Sequence, residues 1–148
     1  MEIERKFTIK SLPGPLNDYP CLIIEQGYLN TNPVVRIRRQ NEEYYLTYKG
    51  KGMLAREEYN LPLNAESYAH LKPKCDGNII SKKRYLIPFN GLTIELDVFD
   101  APFAPLIMAE VEFDSIEAAE AFTPPDWFDK DVTRDPAYHN SNMSRRKF

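Results

Sequence analysis

The chain has 148 residues, of which 43% are hydrophobic, 12% aromatic and 28% charged, a composition that excludes a disordered or low-complexity chain. Its length predicts one domain over residues 1–148 that buries its core without a disulfide. The formal net charge of −3 excludes a globally basic protein built to bind nucleic acid or an anionic membrane.

Short segments with alternating apolar and polar side chains recur along the chain, separated by turn residues such as Asn90 and Gly91. This alternation predicts β-strands, because successive side chains of a strand point to opposite faces. The close spacing favours antiparallel hairpins. The eight predicted strands span residues 2–9, 21–30, 33–40, 43–49, 55–63, 78–86, 92–99 and 107–113.

Three short helices are predicted beside the strands. One spans 65–71 with Asn64 as its N-cap, and a second spans 115–122 with Asp114 as the capping residue. A third covers 136–144 with a proline at its first position. We therefore expect a mainly β fold of the α+β class with a few flanking helices.

The charges of six predicted strands are sorted onto one face. In strand 33–40, Arg36 and Arg38 share a face and Val35 and Ile37 occupy the other. Lys49 adds a cation in phase with its own strand. The other same-face sets are Glu2, Glu4 and Lys6; Arg56 and Glu58; Lys82 and Arg84; Glu95 and Asp97; and Glu110 and Glu112.

Two interpretations fit this sorting. In the first, the charges cover the solvated face of an open sheet. However, such faces usually mix signs, because adjacent like charges repel whereas opposite pairs gain up to about 1 kcal/mol. In the second, the charges point into a closed eight-stranded barrel. A polyphosphate bound with a divalent cation would offset the cost of burying them.

The opening Glu2-Ile3-Glu4-Arg5-Lys6 matches the ExExK signature of the CYTH family, also called triphosphate tunnel metalloenzymes. The similarity continues in the family's order over nearly the whole chain. Its further segments are Glu25–Leu29, Arg36 with Arg38, Lys49-Gly50, Arg56 with Glu58, Lys82 with Arg84-Tyr85, Glu95–Phe99, Ala109–Phe113, Trp127, Val132-Thr133 and Tyr138–Asn140.

The resemblance implies a closed eight-stranded antiparallel β-barrel, whose tunnel binds a triphosphate together with Mg²⁺ or Mn²⁺. The implied substrate-binding residues are Lys6, Arg36, Arg38, Lys49, Arg56, Lys82 and Arg84. The implied metal ligands are Glu2, Glu4, Glu58, Glu95, Asp97, Glu110 and Glu112. The expected catalytic residues are Glu2, Glu4, Lys6 and Lys82.

The function implied by the resemblance is divalent-metal-dependent hydrolysis of phosphoanhydride bonds, with inorganic tripolyphosphate as the preferred substrate. The alternatives are a nucleoside or thiamine triphosphatase and a class IV-type adenylate cyclase. Tyr28, Tyr45 and Tyr48 could line a pocket for the organic group, but we expect packing at the rim of the barrel to be their main role. A non-catalytic polyphosphate-binding module also stays open, although it leaves the paired carboxylates without a purpose.

The expected partner is therefore a small-molecule triphosphate, with neither nucleic acid nor membrane. No apolar run approaches the roughly 20 residues that span a bilayer, and the charged segment 1–6 is unlike a signal peptide, so we expect a cytoplasmic protein. Cys21 and Cys75 are expected to be free thiols. A homodimer is compatible with a small barrel, although no exposed apolar stripe in the sequence favours one.

Overall fold

A computed structural model describes residues 1–148 as ten antiparallel strands with three short α-helices and three 3-10 turns. The strands are β1 Glu2–Ile9, β2 Cys21–Thr31, β3 Val34–Gln40, β4 Glu43–Lys49, β5 Ala55–Arg56, β6 Glu58–Leu63, β7 Asp76–Phe89, β8 Leu92–Phe99, β9 Ile107–Glu112 and β10 Phe128–Asp131. The helices are α1 Ala65–Leu71, α2 Ile116–Ala121 and α3 Asn140–Met143. The 3-10 turns are Leu16–Asp18, Lys72–Lys74 and Pro136–Tyr138.

The strands form one curled sheet in the order β10-β1-β9-β8-β7-β2-β3-β4-β6. Strands β5 and β6 form one extended run that is interrupted at Glu57. In this run Arg56 pairs with Glu2 of β1, and Glu58 pairs with Lys49 of β4. The run therefore connects β1 to β4 and curls the sheet toward closure. The predicted antiparallel barrel is confirmed, but the two-residue β5 leaves its hydrogen-bonded ladder incompletely closed.

The remaining differences from the predicted elements have local causes. Strand β10 was not predicted, because its four residues are mostly exposed and polar and show no alternation. Asn64 caps α1 as predicted, since its side chain accepts a hydrogen bond from the backbone N–H of Ser67 at 2.7 Å. The prediction of Asp114 as the cap of α2 is wrong, because the Ser115 hydroxyl accepts from Ala118 N–H. The third predicted helix is divided at His139 into a 3-10 turn and α3.

Apolar side chains pack on both sides of the sheet. On the outer side of β1, β8 and β9, a buried cluster that includes Phe7, Leu96 and Val111 is covered by α2 and β10. The packing of α2 and β10 excludes water from the outer face of these three strands. None of the helices is long and apolar enough to cross a membrane. Both cysteines are free, as predicted.

A second apolar cluster lies inside the curled sheet. Its strand residues stand in phase with the charged positions, because Val34 precedes Arg36 by two residues and Met108 precedes Glu110 by two. Met143 of α3 packs against them. The inward face of these strands is thus apolar at one end and charged beyond it. The full cluster consists of Tyr28, Val34, Ile80, Phe99, Phe103, Met108, Val132 and Met143.

Candidate active site

A polar cavity of about 190 Å³ lies inside the curled sheet, and we refer to it as the charged lumen. It is smaller than the roughly 300–1,000 Å³ of pockets that hold drug-sized ligands. The only hydrophobic residues in its wall are Tyr28 and Val34. Its charged wall residues are Glu2, Glu4, Lys6, Arg36, Arg38, Lys49, Arg56, Glu58, Arg84, Glu95, Glu110 and Glu112. The sorted charges therefore point inward, and the interpretation as a solvated outer face is excluded.

The acidic side of the lumen follows from the register of β1, β8 and β9. Lys6 lies opposite Glu110, and Glu4 lies opposite Glu112, across the β1–β9 ladder. Glu95 of β8 lies opposite Glu110 on the next ladder. Since directly opposed residues share a face of the sheet, this register gathers the carboxylates into one wall.

Three of these carboxylates have the geometry of a cation site. Oxygens of Glu2, Glu4 and Glu112 can lie within 4.8 Å of one another. Burial, together with the charges of Glu110 and Glu2, raises the pKa of Glu4 to about 7. Burial and the nearby charges of Glu95 and Glu4 raise the pKa of Glu112 to about 7. The three groups repel one another when ionised, and a divalent cation with oxygen ligands would relieve that repulsion.

Glu110 and Glu95 are in different electrostatic states although they lie opposite each other. Glu110 is 3.5 Å from Lys6 Nζ and 3.3 Å from Arg84 Nη2, and these cations hold its pKa well below its usual range despite its burial. Burial and the charge of Glu110 raise the pKa of Glu95 to about 7, even though Arg84 opposes this rise. One oxygen of Glu95 is buried without a hydrogen-bond partner. Glu110 is thus the ionised partner of Lys6, whereas Glu95 has a carboxylate oxygen, Oε1, that accepts no hydrogen bond and is available as a ligand.

The basic side of the lumen is carried by β3. Neither Arg36 nor Arg38 forms an ion pair, and the Nε of Arg36 is buried without a partner. Arg38 donates two hydrogen bonds to Gln26 Oε1, at 2.9 and 2.7 Å. Burial and the charges of Arg36 and Arg84 lower the pKa of Arg38 to about 9. These unpaired cations favour an anion in the lumen.

Lys49 joins β4 to β1 and β6 at the edge where the sheet closes. Its Nζ is 2.9 Å from Glu2 and 3.3 Å from Glu58, and Arg56 Nε is 3.6 Å from the same oxygen of Glu2. Glu2 therefore contacts both the carboxylate cluster and two cations. This arrangement places the first residue of the ExExK signature between the two halves of the lumen.

Lys82 and Asp97 do not line the charged lumen. Both side chains have no exposed surface, and Lys82 Nζ is 2.7 Å from Asp97 Oδ2. Asp97 also accepts two hydrogen bonds from Arg84, at 2.7 and 2.9 Å. Burial lowers the pKa of Lys82 to about 8. The pair therefore stands behind Arg84, and the metal role predicted for Asp97 stays a prediction.

Neutral residues of the lumen were missed by sequence reasoning that followed charge. Gln40 and Asn60 stand in phase with Arg38 and Glu58, so the two-residue period could have identified them. The other neutral polar wall residues, Asn140 and Ser141, come from α3, whose position no strand pattern predicts.

The three candidate tyrosines have different surroundings. Tyr28 is buried in the lumen wall, whereas Tyr45 lines an adjoining, more open polar cavity of about 300 Å³ that we call the vestibule. Tyr48 is exposed and lies beside Tyr59, with the two tilted rings 6.2 Å apart between centroids. The vestibule shares Arg36, Arg38, Gln40 and Asn60 with the lumen.

The geometry agrees with comparisons to known proteins. The CYTH domain family model matches residues 1–135. An inorganic triphosphatase of Nitrosomonas europaea is 40% identical over 97% of this chain and 96% of the relative, and one of Acetivibrio thermocellus is 35% identical over 99% and 95%. The crystal structure of an inorganic triphosphatase superposes with a TM-score of 0.74 at 35% identity, covering 99% of this chain and 96% of that chain.

Proposed function

This chain belongs to the CYTH domain family, and we propose that it is a metal-dependent inorganic triphosphatase. Its substrate is inorganic tripolyphosphate, and its cofactor is Mg²⁺ or Mn²⁺. The observation that carries this proposal is the charged lumen, whose wall holds unpaired arginines together with a cluster of three carboxylates, two of them buried. The near-full-length similarity to two inorganic triphosphatases supports the same activity.

The arginines of the basic side bind the phosphates. Arg36 and Arg38 lie on the same face of β3, and Arg84 reaches the lumen from β7. An anion would supply the partner that Arg36 Nε lacks and would offset the burial and the repulsion that together lower the pKa of Arg38. Phosphoryl transfer depends mainly on positioning and charge neutralisation, which these side chains provide.

Glu2, Glu4 and Glu112 would hold the divalent cation, since their oxygens already converge. When bound, such an ion polarises phosphate oxygens and makes a coordinated water more acidic. Oxygen donors without nitrogen or sulfur suit both Mg²⁺ and Mn²⁺. Glu58, Glu95 and Glu110 line the same lumen, and we propose them as supporting acidic residues.

Lys6 is the proposed catalytic cation. Its Nζ lies 3.5 Å from Glu110 and 4.0 Å from Glu4, within the acidic wall, and Lys6 lines the lumen. From this position it can neutralise charge that develops on the transferred phosphoryl group. Lys82 would contribute indirectly, because it is fully buried and holds Asp97, which in turn orients Arg84.

The size of the lumen favours an inorganic substrate. A cavity of about 190 Å³ with only two hydrophobic wall residues offers little apolar surface for a nucleobase or a thiazolium ring. The vestibule is the observation that favours the second candidate, an esterified triphosphate, because Tyr45 and open space of about 300 Å³ adjoin the two arginines. We rank that candidate second because the vestibule wall is otherwise polar.

Phosphate release from tripolyphosphate, ATP and thiamine triphosphate, measured in parallel with Mg²⁺ and with Mn²⁺, tests this proposal. We expect the fastest turnover with tripolyphosphate and no turnover when the metal is chelated. Glu110→Ala and Glu112→Ala should abolish turnover, whereas Glu120→Ala, on the exposed surface of α2, should not.

Two other results would contradict the proposal. Formation of cyclic AMP from ATP, without phosphate release from tripolyphosphate, would identify a cyclase. Tighter binding of tripolyphosphate by Glu110→Ala, with no turnover in any variant or in the wild type, would identify a polyphosphate-binding module.

A further inference from the structure

The backbone of β1 is held at Lys6 by a side chain from outside the lumen. The backbone N–H of Lys6 donates to Thr133 Oγ1 at 3.0 Å, and the Lys6 carbonyl accepts from Val132 N–H at 2.9 Å. Thr133 is buried, with 3% of its surface exposed. Both backbone groups of Lys6 therefore point toward the segment that follows β10, opposite the ladder with β9.

This contact replaces a missing strand partner. The β1–β10 register is Phe7 with Asp131 and Ile9 with Phe128, so the ladder is irregular between these pairs and β10 ends before it reaches Lys6. A buried backbone N–H needs an acceptor, and here the Thr133 hydroxyl supplies it. The backbone N–H of Lys6 therefore depends on one hydroxyl group for its hydrogen bond.

The hydroxyl of Thr133 is itself fixed in orientation. It donates to Asp131 Oδ1 at 2.5 Å, and Asp131 Oδ2 accepts from Arg5 Nη2 at 2.9 Å. Arg5 also donates to the carbonyl of Ala119 in α2 at 2.8 Å. Because the hydroxyl hydrogen is committed to Asp131, the lone pairs of Thr133 Oγ1 face Lys6 N–H. Arg5, which stands between Glu4 and Lys6 in the signature, is thus part of the same network.

The other side of Thr133 connects with the lumen wall. His139 Nε2 lies 2.9 Å from the Thr133 carbonyl and donates to it, since a carbonyl only accepts. Asn140 and Ser141, which follow His139, line the lumen. Thr133 therefore contacts both β1 and the C-terminal segment that completes the wall.

We propose that Thr133 is a positioning residue for the reaction, acting through Lys6. This inference rests on the proposed function. Because Lys6 Nζ must meet charge that exists only in the transition state, a shift of its backbone should lower kcat more than it raises KM. A purely structural Thr133 would lower the melting temperature and leave kcat unchanged below it.

The test compares Thr133→Val, Thr133→Ser and Thr8→Val in the full-length protein with tripolyphosphate and saturating Mg²⁺. Thr133→Val removes the hydroxyl and keeps the carbonyl that His139 contacts. Thr8→Val is the matched control, since Thr8 Oγ1 accepts from Lys130 N–H at 3.1 Å across the same strand pair, away from the lumen. All variants are assayed well below their own melting temperatures.

We expect Thr133→Val to lower kcat on the order of 10- to 100-fold, the scale of a small misplacement of a catalytic group. Its KM should stay within about threefold of the wild type, because uniform binding is retained. Thr133→Ser should restore most of the kcat, and Thr8→Val should retain it. In a Lys6→Arg background, the loss caused by Thr133→Val should shrink, because the two residues act together.

Wild-type kcat in a folded Thr133→Val variant would overturn the inference and leave the proposed function intact. An inactive wild-type protein would overturn both. If Thr133→Val does not fold, Asp131→Ala decides the question, because it removes the oxygen to which the Thr133 hydroxyl donates and keeps the hydroxyl that accepts from Lys6 N–H. A lower kcat at unchanged KM supports the inference, and an unchanged kcat refutes it.

Discussion

Replacing Glu4 by glutamine should stabilise the metal-free protein at alkaline pH while removing its activity. Glu4 is 6% exposed and stands beside Glu2 and Glu110, so its ionised form is unfavourable in the folded state. Glutamine keeps the shape of the side chain and mimics the protonated carboxyl. The variant therefore lacks both the desolvation cost and the repulsion that the wild type acquires when Glu4 ionises.

The size of this effect follows from the pKa. The rise in the pKa of Glu4 from 4.5 to about 7 corresponds to about 3 kcal/mol, at about 1.36 kcal/mol per pH unit. Because the pKa is higher in the folded state than in the unfolded state, the wild type is destabilised progressively as pH rises from about 4.5 to about 7. At pH 8 the variant should gain up to about 3 kcal/mol, or roughly 6–12 °C in melting temperature.

Urea or thermal unfolding between pH 5 and pH 8, in the presence of a chelator, measures this gain. The difference between Glu4→Gln and wild type should be small at pH 5 and largest at pH 8. Glu42→Gln, at an exposed turn, serves as the control and should show no such trend. Added Mg²⁺ should stabilise the wild type more than Glu4→Gln. A variant that is no more stable than wild type at pH 8 would refute the cost of ionising Glu4, buried beside other carboxylates, that a metal ion is expected to relieve.

Three further outcomes are expected. Arg38→Gln should raise the KM for tripolyphosphate roughly 10- to 100-fold, the loss of a charged hydrogen bond, while Arg39→Gln, at the exposed neighbouring position, should leave KM near wild type in the same phosphate-release assay. Activity at limiting Mg²⁺ should fall as the pH drops below about 7, because Glu4 and Glu112 then take up protons, and a flat pH–rate profile would contradict this assignment. Asn64→Ala should lower the free energy of unfolding in urea by about 1 kcal/mol, because it removes the cap of α1, and should leave kcat unchanged. No α1 residue lines the lumen, so a loss of turnover would contradict this prediction.

Much of the site could be predicted because strand periodicity is a strong constraint. A two-residue repeat places Arg36 with Arg38 and Glu110 with Glu112 on one face, and the structure brings both pairs to the lumen. The same repeat also predicts that Lys82 and Asp97 face inward. Both do, but neither side chain lines the lumen. Whether an inward side chain reaches the cavity depends on the neighbours that cover it, and here Lys82 is fully buried and pairs with Asp97, which also accepts from Arg84.

The parts that were not predicted depend on contacts between distant segments. Strand β10 forms because β1 offers it an edge, not because its own sequence favours a strand. Asn140 and Ser141 reach the lumen only after the C-terminal segment folds back onto the sheet. The apolar end of the inward strand faces follows the same two-residue period, because Val34 and Met108 stand in phase with the charged residues. The sequence alone does not show that these strand faces converge on one interior, so the apolar cluster could not be predicted.

A crystal structure with tripolyphosphate and Mn²⁺, at a pH where turnover is slow, tests the central claim most directly. The account predicts an anomalous manganese peak among the carboxylates of Glu2, Glu4 and Glu112, with phosphate oxygens on Arg36 and Arg38. Phosphate and metal bound only on the outer surface, with the lumen filled by water, would contradict it.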